Sequence, residues 1–315
     1  MSFTPQTIAV IRTDRLGDMV LTLPMFPALR SIFPSARLVL IAARYVEPLV
    51  RDLPCIDEVI YLDAQTDDLR TILRRQGVDA VFAPRPRASE AWAAVRAGVT
   101  LRIGSAYRWY APLYNRRIRE HRADAQFHEA EYNVRMIMHA FGCPMPHVEL
   151  VSPRTNLTRR GKQTPPRVII HPGSGGSAKD WPAERFGELA SRLRQRHNAQ
   201  IIVTGIGRER ALCEEVLQAC PEAENLCGTL DLESMIDLIA ASDLLVANST
   251  GVLHVAASLG TCVLGLFPST PSMSAQRWGP YTDRARVLES GPGDDMLSIH
   301  VETAVEAATA LLEAH

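Results

Sequence analysis

The chain has 315 residues, of which 46% are hydrophobic and 22% charged, and its formal net charge is −1. This length suits two domains of ordinary size, and the charge balance excludes a general electrostatic preference for nucleic acid. The six cysteines form neither a Cys-x-x-Cys pair nor a zinc spacing, so they are interpreted as small buried side chains in a reducing compartment. The N-terminus lacks the pattern of a signal peptide and no apolar run is long enough to span a bilayer, so we expect a cytoplasmic protein.

In the first half of the chain, short apolar runs alternate with helical stretches. This alternation predicts a parallel sheet that is covered by helices on both faces. The predicted strands are 7–12, 37–43, 58–62, 79–84 and 101–104. The predicted helices lie within 17–32 and near 46–52, 67–76, 88–97 and 127–141, with an irregular stretch at 105–125.

Residues 151–166 are polar and proline-rich, which is typical of an interdomain linker. The alternation then restarts, with strands at 167–173, 200–205, 225–227, 244–248, 262–267 and 285–289, and helices at 183–196, 208–219, 232–241, from 251 and from 299 to 313. The sequence therefore predicts an α/β protein with one domain at 1–150 and a second at 167–315, the last helix being able to pack back on the first domain. Ligands of such sheets bind outside the carboxyl ends of the strands, so both domains are expected to present that edge to one cleft.

The loop after the first strand, "IRTDRLGDMVLTLP" at 11–24, carries the first candidate site residue. Asp18 follows a flexible Gly17 and lies at the start of the next helix. One interpretation is a helix N-cap; the other is a general base at the carboxyl end of the strand, with Asp14 as a less convincing competitor. Arg12 and Arg15 would keep such a carboxylate ionised.

A second loop, "HPGSGGSAKDWP" at 171–182, is rich in small residues and ends in Lys-Asp-Trp-Pro. Its glycines can turn backbone N–H groups towards an anion, its serines can donate hydroxyl bonds, and its lysine supplies a positive charge suited to a diphosphate. The residues concerned are Gly173, Ser174, Gly175, Gly176, Ser177 and Lys179. The spacing is not that of a Walker loop, and an ordinary surface turn with a solvated lysine remains the alternative.

A third loop, within "VANSTGVLHVAASLG" at 246–260, again joins a strand to a helix through small polar residues. Ser249, Thr250 and Gly251 offer N–H groups and hydroxyls where a helix dipole favours a negative ligand. His254 follows in the first turn, either as a ligand-binding residue or as a packed helix histidine. The segment "GIGRER" at 205–210 is a weak dinucleotide signal, because the third glycine is missing.

Arginines and aromatic residues are concentrated between 102 and 122. The arginines are Arg102, Arg108, Arg116, Arg117, Arg119 and Arg122, interspersed with Tyr107, Trp109, Tyr110 and Tyr114. A solvated basic face explains most such runs, whereas the aromatic side chains favour a surface for sugar and phosphate, and less strongly one for nucleic acid.

Taken together, these motifs resemble those of the ADP-heptose:lipopolysaccharide heptosyltransferases, glycosyltransferase family 9. The likeness is carried by "RLGDMVLTLP", "HPGSGGSAKDWPAERF", "STGVLHVAASLG" and the preceding "NLCGTLDLESMIDLIAASDLLVAN", in the family's order over nearly the whole chain. It implies a GT-B fold, with two Rossmann-like domains facing a cleft. It also implies inverting transfer of heptose from ADP-L-glycero-β-D-manno-heptose to an inner-core sugar of lipopolysaccharide.

The resemblance also assigns roles. Asp18 matches the family's proposed base, Lys179 its phosphate-binding lysine, and Thr250, Gly251 and His254 match its third motif, while Ser249 stands where many members have aspartate. With these, Ser174 and Gly175 are expected to bind the donor, and Arg15, Arg108, Arg116 and Arg117 the anionic acceptor.

No cofactor is expected, and the sequence has no Asp-x-Asp motif, so we predict a metal-independent reaction with no nucleic-acid partner. Peripheral contact with the inner face of the inner membrane is compatible with such an acceptor. The alternatives are transfer of another nucleotide sugar to a surface glycan, a sugar-nucleotide epimerase, and a non-catalytic sugar-nucleotide-binding protein of the same fold.

Overall fold

Two parallel β-sheets form the framework of the computed structural model, which describes residues 3–62, 68–154, 163–176 and 178–314. The chain divides into an N-terminal unit, Met1–Arg122 with Glu129–Pro153, and a C-terminal unit, Ala123–His128 with Arg154–His315. Of the predicted linker, residues 155–162 lie outside the described part of the chain, as does the start of the helix predicted at 67–76.

The sheet of the N-terminal unit has the strand order β3-β2-β1-β4-β5-β6 in the part of the chain that is described. Its strands are β1 (Thr7–Arg12), β2 (Arg37–Ala43), β3 (Glu58–Leu62), β4 (Ala80–Phe82), β5 (Leu101–Ser105) and β6 (Arg116–Ile118). Its helices are α1 (Leu16–Val20), α2 (Met25–Ile32), α3 (Glu47–Val50), α4 (Leu69–Arg75), α5 (Ala88–Ala97) and α6 (Glu129–Phe141).

The sheet of the C-terminal unit has the order β12-β11-β10-β7-β8-β9 among the described strands. Its strands are β7 (Arg167–His171), β8 (Gln200–Val203), β9 (Glu224–Asn225), β10 (Leu244–Asn248), β11 (Cys262–Phe267) and β12 (Ala285–Glu289). Its helices are α7 (Ala183–His197), α8 (Arg210–Ala219), α9 (Leu232–Ala240), α10 (Gly251–Leu259), α11 (Ala275–Trp278) and α12 (Val301–Ala314).

Both sheets have the Rossmann strand order 3-2-1-4-5-6 when the strands of each unit are counted in chain order. The C-terminal sheet shows this order when it is read from its β9 edge. In each unit the order reverses between two central strands, β1 and β4 in the first and β7 and β10 in the second. These strands are buried on both faces, which explains their continuous apolar runs. In such sheets, ligands bind outside the carboxyl ends of the strands at the reversal point.

Three details differ from the sequence predictions. The helix expected within 17–32 is two helices, α1 and α2, separated by a turn that ends at Pro24. The stretch predicted to be irregular contains the edge strand β6, which is too short and too arginine-rich to show an apolar pattern. The strand expected at 225–227 is the two-residue β9.

Candidate functional site

The candidate base Asp18 lies at the reversal point of the N-terminal sheet. It is the third residue of α1, which follows β1 after a three-residue loop. Arg15 occupies the N-cap position, so Asp18 is not the N-cap residue that one interpretation of the sequence required. Instead its carboxylate pairs with the guanidinium of Arg12, the last residue of β1.

The surroundings of Asp18 favour a carboxylate that is more basic than usual. Its side chain is 16% exposed, and burial raises its pKa, partly offset by the positive charge of Arg12. The negative charges of Asp14 and Glu129 raise the pKa further. A raised pKa strengthens a general base, since proton-transfer efficiency follows basicity.

Asp14, the competing carboxylate, is engaged by two arginines. Its Oδ1 lies 2.7 Å from Nε of Arg12, and its Oδ2 lies 3.6 Å from Nε of Arg85 in the loop after β4. The hydroxyl of Tyr45 donates a hydrogen bond to the Asp14 backbone oxygen. These contacts give Asp14 a structural role in fixing the loop beside Asp18.

Glu90, near the start of α5, was not singled out from the sequence. It is 5% exposed, its Oε2 has no hydrogen-bond partner among the described residues, and burial raises its pKa to about 8. Arg87 and Arg12 lower that pKa, whereas Asp14 raises it. Helix α5 follows β4, which is the neighbour of β1 in the sheet. Glu90 therefore lies at the carboxyl ends of these strands, as Asp14 does.

The loop at 171–182, which is predicted to bind a diphosphate, follows β7 at the reversal point of the C-terminal sheet. Gly175 and Gly176 have φ values of +62° and +77°, which are left-handed conformations that favour glycine. Ser174 is buried, and Ser177 lies outside the described residues. Lys179 is exposed, and its charge contributes to lowering the pKa of Asp294, which is held down mainly by the hydroxyl bond from Thr270.

A buried asparagine ties this loop to the end of β10. The Nδ2 of Asn248 donates to the backbone oxygen of Pro172 at 2.7 Å, and its Oδ1 accepts from the backbone N–H of Trp181 at 2.9 Å. The Trp181 indole in turn donates to the oxygen of Ile299 at 3.0 Å. The two loops predicted to bind the donor are therefore joined within the C-terminal unit.

The segment 205–210, which resembled a weak dinucleotide motif, also holds this loop. Glu209 accepts a hydrogen bond from the N–H of Gly175 at 3.0 Å through Oε1 and one from the N–H of Ile206 at 2.9 Å through Oε2. The Gly175 N–H is therefore already engaged. The sequence signal that could have revealed Glu209 is its place after β8, the neighbour of β7.

The loop after β10 places Ser249 and Thr250, both half-buried, directly before α10. Thr250 is the N-cap, but its side chain makes no capping hydrogen bond. His254 is 4% exposed, and burial, with a smaller effect of His128, lowers its pKa to about 3. His254 is therefore neutral at physiological pH and can contribute a hydrogen bond but not a positive charge.

The four arginines predicted to bind the acceptor are all exposed. Arg15 precedes α1, Arg108 lies in the loop after β5, and Arg116 and Arg117 are in β6. Two other arginines of the same run are structural. Arg102 donates to backbone oxygens, and Arg122 pairs with Glu129.

A sequence model described as glycosyltransferase family 9 (heptosyltransferase) matches residues 68–306. The chain belongs to this family. It is 24% identical over 315 residues to lipopolysaccharide heptosyltransferase 2 of Escherichia coli, covering 89% of this chain and 87% of the relative.

Solved structures of similar proteins show the same fold. The glycosyl transferase family 9 protein of Veillonella parvula superimposes with a TM-score of 0.82 at 20% identity, covering 98% of both chains. The E. coli ADP-heptose lipopolysaccharide heptosyltransferase II superimposes with a TM-score of 0.79 at 23% identity, covering 98% of this chain and 99% of the other. The predicted GT-B class, with two Rossmann-like units, is confirmed, and this family 9 protein is a glycosyltransferase.

The described residues of this glycosyltransferase contain neither a metal cluster nor a membrane span. No group of three or more His, Cys, Asp or Glu side chains among them is placed to hold a metal ion. None of the described helices combines the length and the apolarity that crossing a membrane requires. Metal independence stays a prediction from the sequence.

Proposed function

We propose that this family 9 glycosyltransferase moves a heptose from ADP-L-glycero-D-manno-heptose to an anionic inner-core sugar of lipopolysaccharide, with inversion at the anomeric carbon. The observation that carries the proposal is the half-buried Asp18 carboxylate, paired with Arg12 at the reversal point of the N-terminal sheet. The names of the relatives support the donor and the acceptor, since they include ADP-heptose and lipopolysaccharide heptosyltransferases.

In the proposed reaction, Asp18 accepts the proton of the acceptor hydroxyl as that oxygen attacks the anomeric carbon. The bond from the anomeric carbon to the diphosphate breaks, so the leaving group gains negative charge. Lys179 and the uncapped N-terminus of α10, which begins at Gly251, would stabilise that charge. Ser174, Ser249 and Thr250 would add hydroxyl bonds.

Glu209 would act indirectly in this scheme. It holds the loop of Gly175 by a hydrogen bond to the backbone and so fixes the glycine turn before Lys179. The neutral His254 would donate or accept a single hydrogen bond at the donor.

The decisive experiment replaces Asp18 with asparagine and measures heptose transfer from ADP-heptose. Loss of a general base is expected to lower kcat by about 10²–10⁴-fold, while calorimetric ADP binding stays within twofold. Asp14→Asn tests the competing carboxylate, and Asp52→Asn, the same chemical change at an exposed position of the same unit, is the matched control that should keep full activity. Undiminished transfer by Asp18→Asn, or a loss confined to Asp14→Asn, would contradict the assignment.

The donor is tested by thermal stabilisation of the pure protein with a panel of ADP-, UDP- and GDP-sugars. A ligand held by the folded state raises the melting temperature by mass action. Stabilisation by UDP-sugars with no response to ADP-heptose would identify another nucleotide-sugar transferase. Nucleotide binding without any transfer would identify a binding protein.

We also propose that transfer takes place in the cytoplasm, at the inner face of the inner membrane where a lipid-linked acceptor is exposed, and without a metal ion. Activity that survives chelation with EDTA and co-sedimentation with inner-membrane vesicles would support these two points. Loss of activity on chelation, restored by a divalent cation, would contradict the second.

A further inference from the structure

The side chain of Asn248 bridges the two ends of the loop that is predicted to bind the diphosphate. Asn248 is the last residue of β10 and is fully buried. Its Nδ2 donates to the backbone oxygen of Pro172 at 2.7 Å, and its Oδ1 accepts from the backbone N–H of Trp181 at 2.9 Å. Residues 173–180, which include Lys179, lie between these two contacts. Both ends of that segment are therefore held by one side chain.

The strand register explains why an asparagine side chain reaches this loop. Strand β10 pairs with β7 up to Ala247, which lies opposite His171. The residue after His171 is Pro172, and a proline has no backbone N–H with which to continue the ladder. The carboxamide of Asn248, the residue after Ala247, instead donates to the Pro172 carbonyl oxygen. A side-chain hydrogen bond thus extends the strand pairing into the loop.

This arrangement requires a short side chain that has both a donor and an acceptor. A carboxamide offers both from one planar group, whereas a carboxylate offers only acceptors and an aliphatic side chain offers neither. Pro172 and Trp181 are both buried, so water cannot readily replace a bond that is lost there. A substitution of Asn248 therefore leaves a buried backbone group unpaired, which favours a shift of the loop.

The Trp181 end of the segment has a second anchor. The indole Nε1 of Trp181 donates to the backbone oxygen of Ile299 at 3.0 Å, and the side chain is 1% exposed. Because this end is held twice, loss of the Nδ2 bond acts mainly on the Pro172 end, which leads directly to Ser174. Ser174 is one of the residues expected to bind the donor.

The same asparagine is joined to the N-terminus of α10. Ser249 and Thr250 follow Asn248 directly, and α10 begins at Gly251 without a side-chain hydrogen bond from its N-cap residue. In the proposed reaction, Lys179 and this N-terminus stabilise the same diphosphate, so their separation must match the ligand. Asn248 connects the two elements and thereby fixes that separation.

We propose that Asn248 is a positioning residue for donor binding. Its carboxamide holds the loop at 171–182 at a fixed distance from the N-terminus of α10, so that both meet the diphosphate together. Asn248 acts through the backbone of Pro172 and Trp181 and does not itself touch the donor. The inference rests on the proposed function for the identity of the ligand, and it adds a residue on which donor affinity depends.

The first test measures calorimetric ADP binding to Asn248→Asp and to the parent chain at pH 8 and pH 5. At pH 8 the carboxylate still accepts from Trp181 but cannot donate to Pro172, so ADP should bind at least tenfold more weakly. At pH 5 a buried carboxyl takes up a proton readily, and the protonated acid regains a donor. The affinity of the variant should then recover to within threefold of the parent chain.

Two further variants separate positioning from a loss of stability. Asn133→Asp is the matched control, because Asn133 is also fully buried and its Nδ2 donates to the oxygen of Leu21 at 2.9 Å in the N-terminal unit. Its ADP affinity should stay within twofold of the parent chain at both pH values. Asn248→Ala removes both bonds and adds no titratable group, so its ADP affinity should be at least tenfold lower at both pH values.

Transfer kinetics give a readout that a purely structural role would not move. In Asn248→Ala, KM for the donor should rise at least tenfold while KM for the acceptor stays within twofold. A residue that only stabilised the fold would lower the concentration of active enzyme, and so the apparent kcat, with donor KM and ADP affinity unchanged. Parent-like ADP affinity of Asn248→Asp at pH 8, or a loss that acid does not reverse, would overturn the proposal.

Binding of ADP, UDP and GDP distinguishes failure of this inference from failure of the proposed function. If the parent chain binds UDP or GDP in place of ADP and the Asn248 variants weaken that binding in the expected order, the positioning role stands and the proposed donor fails. If ADP binds the parent chain and every variant equally, the positioning role fails and the proposed donor stands. A parent chain that binds none of the three overturns both.

Discussion

Replacing Glu90 with glutamine should remove a specific pH dependence of stability. In the folded chain, burial raises the pKa of Glu90 to about 8, against 4.5 for an ordinary glutamate. Between these two pH values the unfolded chain ionises this carboxyl and the folded chain does not. The unfolded state therefore binds fewer protons, and the free energy of unfolding falls as pH rises through this window.

The size of the effect follows from the width of the window. Each pH unit in it costs about 1.4 kcal/mol, so ionisation of Glu90 in the unfolded chain destabilises the fold by about 3 kcal/mol at pH 7. Glutamine has nearly the same shape and does not titrate. Between pH 5 and pH 8, the melting temperature of the parent chain should fall relative to Glu90→Gln by on the order of 10 °C.

The assay is thermal unfolding by calorimetry at several pH values from 5 to 8, since the two units can unfold in separate transitions. Glu149→Gln is the matched control, because it makes the same chemical change at an exposed position of the same unit. The melting temperature of Glu149→Gln should equal that of the parent chain at every pH. Parallel curves for Glu90→Gln and the parent chain would refute the argument.

Two glycines give further predictions. Gly104→Ala should destabilise the fold by about 1–3 kcal/mol in urea unfolding, because the new Cβ would overlap the buried Tyr114 ring; unchanged stability would show that the ring can move freely. Gly173→Ala would place a Cβ against the Glu209 carboxylate and displace it, so calorimetry should show ADP binding weakened at least tenfold. Gly207→Ala is its control, because the new Cβ would have no atom within 4 Å. Equal ADP affinities in the two variants would contradict the proposal that Glu209 holds the Gly175 loop in place.

Much of the architecture could be predicted because a continuous apolar run indicates a segment that is buried on both faces. The runs at 7–12 and 244–248 are buried on both faces, and each is a central strand of a parallel sheet. Short edge strands such as β6 cannot be recognised in this way, since an edge strand with exposed arginines carries no apolar pattern. Similarly, the turn that separates α1 from α2 interrupts a run whose side chains remain buried.

The sequence by itself determined which residue types follow the central strands: Asp18 after the first, a glycine turn with Lys179 after the seventh, and Thr250 before α10. Only the tertiary structure decided which other loops join them. Glu90 and Glu209 are close to the candidate loops because β4 pairs with β1 and β8 pairs with β7, at separations of 72 and 33 residues along the chain. Strand pairing depends on nonlocal packing, and local sequence patterns do not encode it, so these two buried acids became visible only in the folded chain.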